Sequence, residues 1–302
     1  MRRGGGEQAK ISGITRRHFN TFWTLPVRCP YPASNLGLQA VHDVAMIDSV
    51  CGLVMFAPEL NGRVVRPTLN MNKSESYFQS VPVIELDQSS RGRFISRTYS
   101  HLFCAIAAFT LIEIFLFKTG MAETIARALM GVSWLFVLGG FVVLSWLATR
   151  LAASSTSKPA QYAGLAAYVV AQAIIFVPLL YVANYKAPGV ITSAAAVTFV
   201  GFVALSLIAF LTGKDFSFLR GILMWGGVCA LILIVAGTIF GFQLGTYFSV
   251  AMVALAGAAI LYDTSNILLH YPEDRYVSAA LQLFASVALM FWYVLRLFMS
   301  RR

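Results

Sequence analysis

The chain has 302 residues, 58% of them hydrophobic and only 12% charged, with a mean hydropathy of +0.72. Soluble domains carry about 25% charged residues, so this composition excludes an ordinary soluble fold and reads as a polytopic membrane protein. The net charge of +10 does not imply nucleic acid, because bases placed between apolar spans set membrane topology and meet anionic headgroups.

Residues 1–70 differ from the rest. They hold Gly4-Gly5-Gly6, scattered arginines and the closely spaced Pro26, Pro30 and Pro32, and residues 1–30 lack the continuous apolar core of a cleavable signal peptide. The one apolar patch, Val41–Pro58, carries Asp43 and Asp48 and falls short of the roughly 20 residues that a span requires. The segment reads as a disordered extension, with a small interfacial helix as the other reading of the patch. Met71 resembles a natural start, which would make 1–70 an upstream extension of the frame. Residues 71–98 are polar, and Gln88–Arg97 is predicted to form a short surface helix leading into the membrane, its arginines at headgroup level.

Seven apolar spans follow in residues 99–302, near Tyr99–Phe117, Ala128–Thr149, Ala160–Val182, Val190–Leu211, Phe218–Phe240, Thr246–Leu269 and Val277–Met299. Pro159, Pro188 and Pro272 punctuate the short connections. Gly131, Gly139, Gly140, Gly164, Gly226, Gly227 and Gly257 read as packing positions where helices approach closely, with the two Gly-Gly pairs as alternative bend points. Arg91, Arg93, Arg97, Arg150, Lys158, Lys214, Arg220 and Arg275 fall on one side of this arrangement, which predicts a cytoplasmic N-terminus by the positive-inside rule. Seven crossings then place the C-terminus outside, against the bias of Arg296, Arg301 and Arg302.

Two acids interrupt the spans. Asp263 lies towards the cytoplasmic end of the sixth, where the helix dipole disfavours a carboxylate, so it is expected to face the bundle interior. The alternative is a charge at the membrane surface. Gln282 and Ser286 on the seventh span are expected to meet Asp263 across one helix interface. Thr264, Ser265 and Asn266 offer further oxygen ligands of the kind that hard cations such as Ca²⁺ take. Arg150 ends the second span at the same face, as a partner for Asp263 or as a topological anchor. Glu113 lies near the outer face in the first span, as an outer ligand for a cation or as a partner of Lys118 or Arg127. Tyr262, Trp292 and Tyr293 read as packing aromatics.

Cys29, Cys51, Cys104 and Cys229 share no metal-like spacing and His is scarce, so no zinc site and no disulfide framework is expected. No Gly-x-Ser-x-Gly, His-Glu-x-x-His or Walker pattern occurs, and the chain is not expected to be an enzyme. No cofactor is expected, Ca²⁺ entering only as a permeant ion.

Ile260-Leu261-Tyr262-Asp263, then Ala279-Ala280-Leu281-Gln282-Leu283-Phe284, then Leu295-Arg296-Leu297-Phe298, with Gly213-Lys214-Asp215-Phe216-Ser217-Phe218-Leu219 between the fourth and fifth spans, resemble the Bax inhibitor-1 family over roughly residues 90–300. The likeness is greatest to its bacterial inner-membrane branch. It implies an all-α membrane protein of seven transmembrane helices, the last central and surrounded by the other six, with a pH-sensitive Ca²⁺ leak. It also implies that two acids on the last two spans share a proton at a cytoplasmic gate, and that an arginine on the second span latches the first acid. Asp263 matches the first acid, Ser286 stands where the second is expected, and Arg150 is the base nearest the latch. Asp263 would then be a transient Ca²⁺ ligand, with Ser286 and Gln282 as neutral lining. Some family members instead act in stress response by restraining a membrane quality-control protease or another partner through helix contacts, a reading that needs no second acid.

Overall fold

A computed structural model describes residues 82–85, 87–132, 134–153, 157–241 and 244–300. The expectations for residues 1–70, including Val41–Pro58, Cys29 and Cys51, lie outside the described residues.

Among the described residues there are eight α-helices: α1 (Gln88–Lys118), α2 (Met121–Gly131), α3 (Trp134–Ala152), α4 (Lys158–Lys186), α5 (Val190–Thr212), α6 (Leu219–Phe240), α7 (Thr246–Leu269) and α8 (Tyr276–Ser300). Short 3₁₀ turns at Val83–Glu85 and Glu273–Arg275 precede α1 and α8. No β-strand occurs among the described residues. Among the described residues, six helices are long and apolar enough to cross a membrane, and α3 adds a shorter apolar stretch, Gly139–Ala152. Their outer faces are apolar too: Leu211, Phe240 and Trp225 are exposed, as expected of side chains that face lipid.

The lead-in and the first span form one helix rather than two. α1 runs unbroken for 31 residues, roughly 46 Å at 1.5 Å per residue, so its polar first turns extend past a hydrocarbon layer of about 30 Å. Asp87 starts it, accepting from the Ser89 N–H at 3.3 Å and the Ser89 hydroxyl at 2.7 Å. The hydroxyl bond contributes most to holding this carboxyl below the usual carboxylate range. Ahead of α1 the chain is docked: the Val83 N–H donates to the Tyr271 carbonyl at 3.0 Å, beside a bridge between Pro82 and Pro272.

The expected second span, Ala128–Thr149, is broken. After the left-handed turn at Gly120 (φ 75°), α2 buries Ala122 and Ala126 against Leu116 and Val177, while Glu123 and Arg127 pair one turn apart on its other side. It ends at Val132, which is extended (φ −98°, ψ 147°), and the helix restarts at Trp134. Ala128–Gly131 continue the apolar run of α3 in sequence but belong to the short amphipathic α2.

α8 is the most buried of the long helices and packs against α7, α1, α5, α4 and α3, whereas α6 packs chiefly on α7. Trp292 and Tyr293 are fully buried, as packing aromatics should be; Trp292 meets Phe176 of α4 edge-on at 4.9 Å. Between such helices no water is expelled, so association rests on dispersion and close approach. Gly164 is the tightest case, since a Cβ there would stand 2.6 Å from both the Ala148 carbonyl oxygen and the Ala152 nitrogen of α3. Gly226 and Gly257 also face neighbouring side chains, but Gly131, Gly139 and Gly140 face open space, so the packing expectation does not hold for those three. Both Gly139-Gly140 and Gly226-Gly227 lie inside continuous helix.

Candidate functional site

α7 and α8 are joined by a short connection and lie side by side. Gln282 and Ser286 are four residues apart on α8 and therefore stack on one face, about one turn from each other. Asp263 of α7 sits between them, 1% exposed. Gln282 Nε2 donates to Asp263 Oδ1 at 2.8 Å, and Ser286 Oγ donates to Oδ2 at 2.5 Å. Tyr271, just past the end of α7, donates its hydroxyl to Gln282 Oε1 at 2.7 Å. That bond leaves the amide nitrogen to face the carboxylate. The result is a polar chain, Tyr271–Gln282–Asp263–Ser286, half-buried at Tyr271 and Gln282 and buried at Asp263 and Ser286, whose side chains other than Asp263 are neutral.

The neighbours of Asp263 in sequence do other work. Adjacent helical residues do not share a face, and Thr264 and Ser265 do not join Asp263 as a ligand set. Thr264 lies beside the Tyr99 hydroxyl. Ser265 Oγ accepts from the Phe216 N–H and donates to the Lys214 carbonyl, both at 3.1 Å, and so pins the α5–α6 connection to α7. The Asn266 carbonyl accepts from the His270 and Tyr271 N–H groups and closes the helix. In the pinned loop, Asp215 accepts from the Ser217 hydroxyl and, at 2.9 Å, from the Ser217 N–H. The hydroxyl bond is the main cause that holds this carboxyl below its usual range. His270 Nε2 stands 3.7 Å from the Asp215 carboxylate. Replacing Ser265 with Ala removes both anchors, and the Phe216 amide is expected to exchange with solvent about fivefold faster, corresponding to about 1 kcal/mol for a net hydrogen bond. Unchanged exchange would show that the loop is held elsewhere.

The other expected site residues lie apart. Arg150 is exposed at the end of α3, its guanidinium 5.1 Å from the Trp146 ring, and does not occupy the place of a latch on Asp263. Its position near the end of an apolar helix favours a headgroup anchor. Glu113 is buried at 6% exposure in α1, and neither carboxyl oxygen has a hydrogen-bond partner among the described residues. Arg127, one of its expected partners, is taken by Glu123. Arg296 is buried in α8 and donates to the Leu244 carbonyl at 2.9 Å, tying α8 to the α6–α7 connection. The described residues contain no group of three or more His, Cys, Asp or Glu side chains placed to hold a metal, and Cys104 and Cys229 are free thiols.

One residue of the site gave little signal in the sequence, and one beside it gives a misleading one. Tyr271 reads as a loop aromatic before Pro272, and its bond to Gln282 becomes visible only once the α7–α8 connection folds back. Ser265 reads as a ligand because it lies near Asp263, whereas helix geometry aims it elsewhere.

The family model described as inhibitor of apoptosis-promoting Bax1 matches residues 91–302. An uncharacterized protein of Pseudomonas aeruginosa is 32% identical over 169 residues, covering 54% of this chain and 72% of that protein. The modulator of FtsH protease YccA of Escherichia coli K12 is 36% identical over 99 residues, covering 32% of this chain and 45% of that protein. The inner membrane protein YccA of Escherichia coli O6:H1 matches to the same extent. In both YccA comparisons the chain thus spans less than half of the relative's length. The family match includes the Asp263 cluster and all of the long helices from α4 to α8, and this multi-pass, all-helical membrane protein belongs to the Bax inhibitor-1 family.

Proposed function

We propose that the protein is a cation leak pathway of a bacterial inner membrane, with Ca²⁺ as the permeant ion and Asp263 as the acid of its gate. In this reading the chain crosses seven times, α3 supplying the second crossing, with the N-terminus cytoplasmic and α8 at the centre. The observation that carries it is the environment of Asp263: a carboxylate buried between two helices and held at both oxygens by the neutral Gln282 and Ser286. Two of the groups that orient this charge are neutral donors, an arrangement suited to a cation that arrives and leaves. Glu113, on α1, would be a second acid on the route. Arg150 contributes to topology in this account rather than to a latch.

The test is Ca²⁺ flux into dye-loaded liposomes holding the purified protein, with Asp263→Asn beside it. Asn keeps the size and one acceptor but removes the charge, and flux is expected to fall at least tenfold. Equal flux in the two would remove Asp263 from the gate.

The printed name of the Escherichia coli relative favours a second reading, in which the chain modulates a membrane protease through helix contacts. The exposed apolar faces of α5 and α6 offer area for such a contact. Co-isolation of a membrane protease with both wild type and Asp263→Asn, together with no flux from either, would favour it.

A further inference from the structure

The ends of α1, α4 and α8 that lie together carry a second cluster, which takes no part in the Asp263 site. The Arg97 guanidinium carbon stands 5.8 Å, and Lys158 Nζ 4.7 Å, from the centroid of one ring, that of Tyr276. The Tyr276 hydroxyl is 3.2 Å from the Tyr162 hydroxyl, which is 3.1 Å from His101 Nε2. His101 Nδ1 lies 2.7 Å from the Arg97 carbonyl. A carbonyl only accepts, so Nδ1 carries the proton, and in the neutral ring Nε2 accepts from Tyr162. One residue from α1, one from α4 and one from α8 are thereby joined through His101, Tyr162 and Tyr276.

The charges of this corner are not balanced by side chains. Arg97 and Lys158 converge on one ring, and neither makes an ion pair among the described residues; the ion pairs there are Arg127–Glu123 and His270–Asp215. Lys158 does donate to a carbonyl, that of Asp274. The acids of the neighbouring turn, Glu273 and Asp274, are exposed and pair with neither cation. Both cations are exposed, so they stand open to an anion from outside the chain. Guanidinium and ammonium are the donors that phosphate oxygens accept from, and basic pockets between helix ends are where lipid headgroups bind. The surface leading away from the cluster along α4 is apolar and open: Tyr162, Val170 and Ile174, which share one helix face, are all exposed. A free phosphate would leave that surface unused, whereas acyl chains would cover it.

We propose that Arg97 and Lys158, both held over the Tyr276 ring, bind the phosphate of an anionic phospholipid, whose acyl chains lie along the exposed apolar face of α4. The lipid would fasten the start of α8 to α1 and α4, six residues ahead of Gln282. This assignment is independent of whether the protein conducts ions.

The test is native mass spectrometry of the full chain, released from detergent with defined amounts of phosphatidylglycerol or phosphatidylcholine. Wild type is expected to retain phosphatidylglycerol in preference to phosphatidylcholine. In the double variant R97Q/K158Q the phosphatidylglycerol needed for half-retention is expected to rise at least tenfold, while R97K/K158R, which keeps both charges, stays near wild type. Circular dichroism of each variant reports whether it has folded, and the headgroup preference of the wild type stands as a test without either. Equal retention of the two lipids by wild type would overturn the proposal, as would equal retention of phosphatidylglycerol by wild type and a folded R97Q/K158Q. Displacement of the lipid by glycerol phosphate at similar concentration would overturn it as well, by assigning the cluster to a soluble phosphate.

Discussion

Ser286→Asp is expected to give the protein a steep pH dependence of ion flux that the wild type lacks. Ser286 Oγ stands 2.5 Å from an oxygen of Asp263, so a carboxyl group at this position would face the Asp263 carboxyl at hydrogen-bond distance. Two carboxylates so placed cannot both be ionised without strong repulsion, about 4 kcal/mol at 4 Å for an effective dielectric of about 20. That is several times RT, and far more than the roughly 1 kcal/mol of the hydroxyl bond it replaces. The pair therefore holds one proton between its members and titrates as a unit. While the proton is shared, α7 and α8 stay closed across a hydrogen bond. As pH rises and the proton leaves, repulsion drives the two helices apart, so flux in Ser286→Asp is expected to increase with pH by an order of magnitude or more. In wild type the Ser286 hydroxyl supplies no second charge, so there is no carboxylate pair to repel and the expected profile is much less steep. Liposome flux across a pH series checks both. A flat profile in Ser286→Asp would mean that the contact between residues 263 and 286 does not control the path.

The second large effect concerns packing. At Gly164 two opposing terms can be compared. Ala is the better helix former by about 1 kcal/mol, which favours Gly164→Ala. Against this, the new Cβ would lie 2.6 Å from two backbone atoms of α3, and backbone cannot rotate aside as a side chain can. Overpacking of this kind costs about 1–3 kcal/mol and occasionally more, and here separation of α3 from α4 is the only relief. Gly164→Ala is expected to lower the thermal midpoint in detergent by several degrees. Gly140→Ala is the matched control: a Cβ there meets nothing within 4 Å, so the propensity gain is unopposed and the midpoint is expected to hold or rise. A Gly164→Ala variant as stable as Gly140→Ala would show that α3 and α4 do not approach as described.

Much of the fold is legible in the sequence because lipid imposes a simple rule. A run of about 20 apolar residues with polar ends forms a helix, and the bounds of α7, Thr246–Leu269, coincide with the expected span. The same rule misreads α2 and α3. Ala128–Gly131 and the run from Trp134 are equally apolar, and nothing in their hydropathy marks the extended Val132 between them. It also splits α1 too early, since hydropathy changes near Tyr99 while the helix, capped by Asp87, does not. At the site, the meeting of Asp263 with Gln282 and Ser286 follows from the one-turn spacing on α8 and the side-by-side arrangement of α7 and α8. Thr264 and Ser265 are misjudged by proximity in sequence, because neighbouring helical positions point about 100° apart. Arg150 shows a related limit: charge and depth place it at the proper end of the bundle, but which way its helix faces depends on the close approach at Gly164, which the sequence does not reveal.

The account rests on Asp263 as the acid of a cation path, and Ca²⁺ entry into dye-loaded liposomes, compared between wild type and Asp263→Asn at equal insertion, tests it most directly. The account predicts entry well above that of empty liposomes with wild type, and at least a tenfold loss in the variant. Entry no greater than in empty liposomes for a folded, inserted wild type, or undiminished entry with Asp263→Asn, would contradict it.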